Sequence, residues 1–105
     1  MDSVTLERYR EDTFELPISI KSDDDEAIDL TGYTIGFGLA GYNETTPGVT
    51  IYRQDADGFF TVTVSDTLMA ALTEKAYSFY IELVSPLNVR QTILAGTLAL
   101  FERYG

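Results

Sequence analysis

The chain has 105 residues, of which 45% are hydrophobic and 12% aromatic, so it is long enough for one domain with a packed core. It contains no cysteine and no histidine, which excludes thiolate and imidazole metal sites and the usual Ser-His-Asp or Cys-His catalysis. The net charge of −10 opposes contact with nucleic acid phosphates and anionic lipid. We predict a single domain, residues 1–105, with neither nucleic acid nor membrane as its partner.

The first half of the chain has a hydrophobic period of two, which is typical of β-strands. The opening "MDSVTLERYRED" lacks a basic-then-apolar secretion signal, so we expect synthesis in the cytoplasm, and its "SVTLER" can form a first strand. In "TFELPISIK", Pro17 predicts an open edge or a bulge, because proline cannot donate to a ladder. In "YTIGFGLA", glycine and alanine occupy one side, which allows another layer or chain to approach closely there, the alternative being that these glycines mark bulges.

The second half continues this pattern around one short helix. "GYNETTPG" is a loop by composition, "VTIYR" a short strand and "QDADG" a turn. After the strand "FFTVTVS", Asp66 can cap a helix in "SDTLMAALTEK". The strand "AYSFYIELV" and a last strand with a bulge expected at Gly96 complete the chain. We predict an all-β sandwich or barrel of about seven strands, with this inward-facing core: Phe14, Leu16, Ile18, Ile20, Tyr33, Ile35, Phe37, Leu39, Phe60, Val62, Val64, Tyr77, Phe79, Ile81 and Leu83.

The stretch "SDDDEAIDLTGYT" (22–34) concentrates five carboxylates. One interpretation is a calcium site at Asp23, Asp25 and Asp29, but the glycine and glutamate of a calcium-binding EF-hand loop are missing. The other is a solvated hairpin turn, in which aspartates bond their own backbone and Gly32 redirects the chain into the next strand. We predict the turn, with no metal and no cofactor. A second acidic pair, Asp55 and Asp57, cannot be placed beside the first from sequence.

Catalysis has little support in these residues. Paired carboxylates can hydrolyse glycosidic bonds without histidine, but a sandwich of this size has little room for a substrate cleft of about 300–1,000 Å³. We predict that the protein is not an enzyme.

Several aromatic residues fall on outward or loop positions: Tyr42, Tyr52, Phe59, Tyr80 and Tyr104. Aromatic side chains are enriched at protein interfaces and also stack on sugars. We predict an interface at Tyr42, Tyr52, Phe59 and Tyr80, the alternative being core positions, since a register error of one residue inverts every assignment. Tyr77 opens a strand directly after the short helix, where sandwich domains place a structural tyrosine that braces the corner.

The order of these elements resembles that of the immunoglobulin-like domains of tailed-phage virion proteins. In particular, it is similar to the amino-terminal domain of phage baseplate upper proteins. The resemblance covers residues 12–101. Its pattern is an alternating strand, a polar turn, "DLTGYT", "GFFTVTVS", a short helical corner before "AYSFYIEL", and a last strand through "LAGTLAL". It implies an immunoglobulin-like antiparallel β-sandwich with one short helix between strands.

The resemblance also implies a function. We expect a non-enzymatic structural protein of the phage virion, in the tail, baseplate or head–tail region, that contacts other virion proteins and copies of itself. Two alternatives remain open: a capsid decoration protein of the same fold, and a carbohydrate-binding module that uses the same aromatic residues.

Overall fold

The computed structural model describes residues 3–9, 12–22 and 24–101. Within them, eight strands, one helix and one 3₁₀ turn form two sheets packed face to face. The strands are β1 (Ser3–Tyr9), β2 (Phe14–Ser19), β3 (Thr34–Leu39), β4 (Tyr42–Asn43), β5 (Val49–Gln54), β6 (Phe59–Val64), β7 (Ala76–Val84) and β8 (Arg90–Phe101). The 3₁₀ turn (Asp55–Asp57) joins β5 to β6, and the helix α1 (Asp66–Ala70) joins β6 to β7.

The strand order confirms the predicted sandwich. One sheet has the order β1-β8-β7-β3-β4 and the other the order β2-β6-β5. In immunoglobulin domains strands C, F and G share one sheet and B, E and D the other, and the strands of this sandwich are divided between its two sheets in a similar way. All pairings are antiparallel except that of β1 with β8, which is parallel. The count is eight because a two-residue strand, β4, forms within the predicted loop "GYNETTPG".

The core lies between the two sheets, where the period-two pattern places it. Its buried members are Phe14, Leu16, Leu30, Ile35, Phe37, Leu39, Phe60, Val62, Val64, Met69, Leu72, Phe79, Ile81, Leu83, Leu98 and Leu100. The remaining predicted members are half-buried and pack against this cluster: Ile18, Ile20, Tyr33 and Tyr77. Because burying one large apolar side chain stabilises a fold by about 1.5–3 kcal/mol, this cluster determines how the sheets pack.

The glycine side of β3, where the sequence allows another layer or chain to approach closely, is covered by side chains of its own sheet. Gly36 and Gly38 are buried because side chains of the neighbouring strand β7 lie over them. A Cβ on Gly38 would overlap the Tyr80 ring, and one on Gly36 would lie 2.7 Å from Cγ of Glu82. The space left by the glycines is therefore filled within the same sheet.

The bulge predicted at Gly96 occurs elsewhere in β8. The register shifts between Ile81 and Glu82, which face Leu94 and Thr92 respectively. Gly96 itself pairs regularly with β1, and a Cβ there would overlap the carbonyl oxygen of Val4. Glycine at this position therefore allows β1 to approach closely.

The helix is capped one residue earlier than predicted. Ser65 has extended backbone angles, and its side-chain oxygen accepts a hydrogen bond from the Leu68 N–H at 3.3 Å, so Ser65 rather than Asp66 is the cap. Pro17 lies on an edge strand, as predicted, because β2 pairs with β6 alone. Within the described ranges, no helix has the length and apolar character needed to cross a membrane.

Candidate functional site

The acidic stretch forms the hairpin turn that the sequence predicts. A single antiparallel bridge joins Lys21 to Ala27. Inside it, Ser22 N–H donates to the Glu26 carbonyl at 2.8 Å, and Asp25 N–H donates to the Ser22 carbonyl at 2.9 Å. Asp25 has a φ of 64°, a left-handed conformation that aspartate tolerates better than most residues. The acidic side chains described in this turn are exposed to solvent; Asp23 lies outside the described residues.

Asp29 binds the backbone of its own turn. Its Oδ1 accepts hydrogen bonds from the Thr31 hydroxyl at 2.6 Å and from the Thr31 N–H at 2.9 Å. Both bonds hold the pKa of Asp29 below its ordinary value, and the bond from the Thr31 hydroxyl has the larger effect. In the part of the chain that the structure describes, no three acidic side chains are grouped so that they could hold a metal ion.

Gly32 has the structural role predicted for it. Its φ is 84°, which a residue with a Cβ adopts only at a cost. A Cβ at this position would also lie 3.0 Å from Cγ of Pro86, in the turn between β7 and β8. Gly32 thus lets two loops at the same end of the sandwich pack together.

The two acidic loops meet, which the sequence did not establish. Leu30 N–H donates to the Asp55 carbonyl at 2.9 Å. Arg53 stabilises this contact. Its Nε donates to Oδ1 of Asp55 at 2.8 Å, and its Nη2 donates to the Leu30 carbonyl at 2.9 Å. One end of the sandwich is therefore acidic, and we call it the acidic end: Asp24, Asp25, Glu26, Asp29, Asp55 and Asp57.

Tyr77 forms the corner brace that was predicted from its position. Its hydroxyl oxygen accepts hydrogen bonds from the N–H groups of Thr73 at 2.9 Å and Glu74 at 2.8 Å. The bond from Glu74, ahead of the smaller effects, lowers the pKa of Tyr77 from its ordinary value. The same arrangement, a tyrosine near the start of the strand after the corner, is called a tyrosine corner in immunoglobulin-like domains.

Of the four aromatic residues predicted at an interface, three lie on outer faces of the sandwich and one points inward. Tyr52 and Tyr80 are outward, with 59% and 43% of their surface exposed, and Phe59 is half-buried on an outer face. The outward position predicted for Tyr42 is wrong, because Tyr42 points inward from β4, packs against the core and donates its hydroxyl to the Leu68 carbonyl at 3.0 Å. Tyr104 lies outside the described residues.

Tyr52 and Phe59 share the outer face of the three-stranded sheet, which we call the β5 face. Alternation along the strands places nine residues on it: Glu15, Pro17, Ser19, Thr50, Tyr52, Gln54, Phe59, Thr61 and Thr63. Glu15 is the one charged member of these nine, and it lies on the strand farthest from β5.

Tyr80 lies on the opposite side of the molecule, on the outer face of the five-stranded sheet. Arg90 and Glu82 neutralise one another there in an ion pair. A groove of about 390 Å³ runs beside Tyr80, between β7 and the β3–β4 hairpin. No Asp, Glu, Lys or Arg is among its nine lining residues. This groove therefore offers no carboxylate pair for acid–base chemistry.

An apolar hairpin tip was missed by the sequence reasoning. Leu87 and Val89, between β7 and β8, expose 87% and 63% of their surface. The tip is held by Ser85, whose hydroxyl oxygen accepts from the N–H groups of Leu87 at 3.2 Å and Val89 at 3.1 Å. The signal was present in "SPLNV", where apolar residues stand inside a turn sequence.

Neither a protein-family model nor a curated protein sequence matches this chain.

Proposed function

We propose that this protein is a non-enzymatic structural component of a tailed-phage particle, located in its tail, baseplate or head–tail region. It acts by assembling with other virion proteins and with copies of itself. The observation that carries this proposal is the near absence of charge from the β5 face of a chain whose net charge is −10.

The distribution of charge supports a role in assembly. Six described acidic residues belong to the loops of the acidic end, whereas both sheet faces display mainly uncharged side chains. Interface centres are depleted of charge and enriched in tyrosine and phenylalanine. Tyr52 and Phe59 on one face and Tyr80 on the other fit that description.

The phage assignment has a separate basis. It comes from the resemblance of residues 12–101 to the immunoglobulin-like domains of tailed-phage virion proteins. The immunoglobulin-like strand order and the corner at Tyr77 agree with it. Because one sandwich fold serves many functions, the particle itself must supply the test.

The test is a phage that encodes the Tyr52→Ser/Tyr80→Ser variant. Tyr52 is mostly exposed, so we expect Tyr52→Ser alone to keep the melting temperature of the unchanged protein. The double variant also uncovers Gly38, and we expect it to stay folded with a somewhat lower melting temperature. We expect its copy number in purified particles, measured by quantitative mass spectrometry, to fall about tenfold, which corresponds to about 1.4 kcal/mol of lost binding.

The matched control is Leu87→Ser/Val89→Ser, which also removes two exposed apolar side chains but from a hairpin tip. It should enter particles normally. Full incorporation of the Tyr52→Ser/Tyr80→Ser variant would contradict the use of these faces, and particles without the unchanged protein would contradict the virion assignment. Specific binding on a glycan array that Tyr52→Ser abolishes would favour the carbohydrate-binding alternative.

A further inference from the structure

The two sheets have four edge strands, and three of them carry features that block pairing with another chain. β2 contains Pro17, and β4 is two residues long. β1 contains Glu7 and Arg8, and the Arg8 guanidinium donates to the Glu7 carbonyl at 2.8 Å. Proline, short length and charge are the devices by which edge strands avoid pairing.

β5 has none of these devices. It is six residues long, contains no proline and pairs only with β6. Its one charged side chain, Arg53, is bound to Asp55 and Leu30 within the same molecule. A strand of this kind is a template for the addition of another strand.

The backbone groups at this edge are directed toward the open side. The Gly48 carbonyl accepts a hydrogen bond from Ser65 N–H at 2.9 Å, so the backbone groups of Gly48 continue the β5–β6 ladder. The next residue, Val49, faces the other way, and its N–H donates to the Thr46 carbonyl at 3.0 Å. The direction of the backbone N–H and C=O groups alternates along a strand. The backbone groups of Ile51 and Arg53 therefore point away from β6, like those of Val49. Their N–H and C=O groups are available to an incoming strand.

We propose that β5 pairs antiparallel with β5 of a second copy of this chain, about a twofold axis at Ile51. This pairing specifies the self-assembly in the proposed function and rests on it. Ile51 faces its own copy and exchanges two backbone hydrogen bonds with it, and Thr50 faces Tyr52 of the other copy. A twofold contact is self-complementary, as an interface between identical strands must be.

The distribution of charge selects a second copy as the occupant. Two molecules of net charge −10 repel one another unless they meet where charge is absent. The β5 face continues uncharged across the proposed seam, through Thr50, Tyr52 and Gln54. A basic partner would instead be drawn to the acidic end, where the carboxylates lie.

The first experiment measures the mass of the purified protein by light scattering and sedimentation at several concentrations. We expect a monomer–dimer equilibrium that Tyr52→Glu shifts at least tenfold toward monomer, because the substitution places two carboxylates beside the axis. Ser19→Glu is the matched control, since it adds the same charge at an exposed position on the far edge of the same face. It should leave the equilibrium almost unchanged.

The second experiment locates the seam. The chain has no cysteine, so the variant Thr50→Cys/Tyr52→Cys carries thiols at these two positions alone. Facing residues in a non-hydrogen-bonded antiparallel pair have Cβ atoms about 4.5–5.5 Å apart, close enough for a disulfide after a small adjustment. We expect a covalent dimer under mild oxidation, and none from Ser19→Cys.

A monomer at all concentrations, or equal cross-linking of Ser19→Cys, would overturn the pairing. The outcome is separable from that of the proposed function. A monomeric protein that still enters phage particles would refute β5 pairing and retain the assembly role. A dimer formed by a protein that is absent from particles would support β5 pairing and refute the assembly role.

Discussion

The Tyr80 ring covers the bare backbone of Gly38 in the neighbouring strand. Because a Cβ on Gly38 would overlap that ring, we expect Gly38→Ala to lower the free energy of unfolding by about 1–3 kcal/mol, the usual cost of overpacking. In the Tyr80→Ala background the same change should cost much less. Urea unfolding of the two single variants and the double variant measures this coupling, and additive effects would contradict the contact.

Asp29 predicts a dependence of stability on pH. Its pKa in the folded protein lies below its ordinary value, so the folded state favours the carboxylate. The resulting stabilisation is present above the pKa of the unfolded chain, about 4, and is lost as the pH falls through the lower folded value. Asp29→Asn should therefore be less stable than the unchanged protein at pH 6, and the difference should shrink as the pH falls below 4, in urea titrations at each pH. A constant difference would show that Asp29 acts through its shape alone.

Removing the Tyr77 hydroxyl should loosen one corner of the fold. Tyr77→Phe leaves the N–H groups of Thr73 and Glu74 without their acceptor. We expect a lower melting temperature and faster amide hydrogen exchange at these two residues. Tyr33→Phe is a suitable comparison, because Tyr33 is also a half-buried tyrosine packed against the core. Equal exchange at Thr73 in both variants would contradict the brace.

Gly58 joins the acidic hairpin to the turn between β5 and β6. Its carbonyl accepts from Ile20 N–H at 2.7 Å, and a Cβ there would lie 2.7 Å from the carbonyl oxygens of Ile20 and Ile28. These obstacles are backbone atoms, so they cannot rotate away as a side chain can. Gly58 also has a φ of 62°, and it is buried.

We expect Gly58→Ala to lower the free energy of unfolding by about 2–4 kcal/mol, through steric overlap added to left-handed strain. Gly41→Ala is the matched control. Gly41 has a φ of 88°, and nothing lies within 4 Å of the position of its Cβ. It should lose only about 1–2 kcal/mol, the strain component. Equal losses in denaturant unfolding would show that the overlap relaxes.

The strands themselves were predictable because alternation needs only local sequence. Phe60, Val62 and Val64 recur every second residue and all three are buried. The inward position of Tyr42 was not predictable, because it depends on a two-residue hairpin in which Ala40 and Gly41 both have positive φ. Alanine at the first of these positions is not the usual signature of such a turn.

The candidate surfaces were only partly predictable, for a related reason. The outward register of Tyr52 and Tyr80 follows from local alternation, so sequence alone located both. The meeting of Leu30 with Asp55, and the absence of a neighbour for β5, depend on strand order. Strand order is set by packing between segments far apart in the chain, which periodicity does not encode.

The net charge of −10 should make both the stability and the association of this protein depend on salt concentration. Raising the ionic strength from about 0.01 M to about 0.1 M shortens the screening length from about 30 Å to about 10 Å. Repulsion within the acidic end and between two acidic copies then weakens. We expect sodium chloride to raise the melting temperature and to strengthen dimerisation. A fall of both quantities with salt would indicate that ion pairs, such as Arg53 with Asp55, dominate instead.

The parallel pairing of β1 with β8 bears on how the protein is made. Ser3 pairs with Ala95, 92 residues later in the chain. At a translation rate of about 5–20 residues per second, β1 waits roughly 5–20 s for its partner to be synthesised. Throughout that interval the strand that pairs with Val4 and Leu6 does not yet exist. The other sheet can already form from residues 14–64. β1 can therefore take its place in the sheet only after β8 has been made, and until then the charged Glu7 and Arg8 discourage its pairing with other strands.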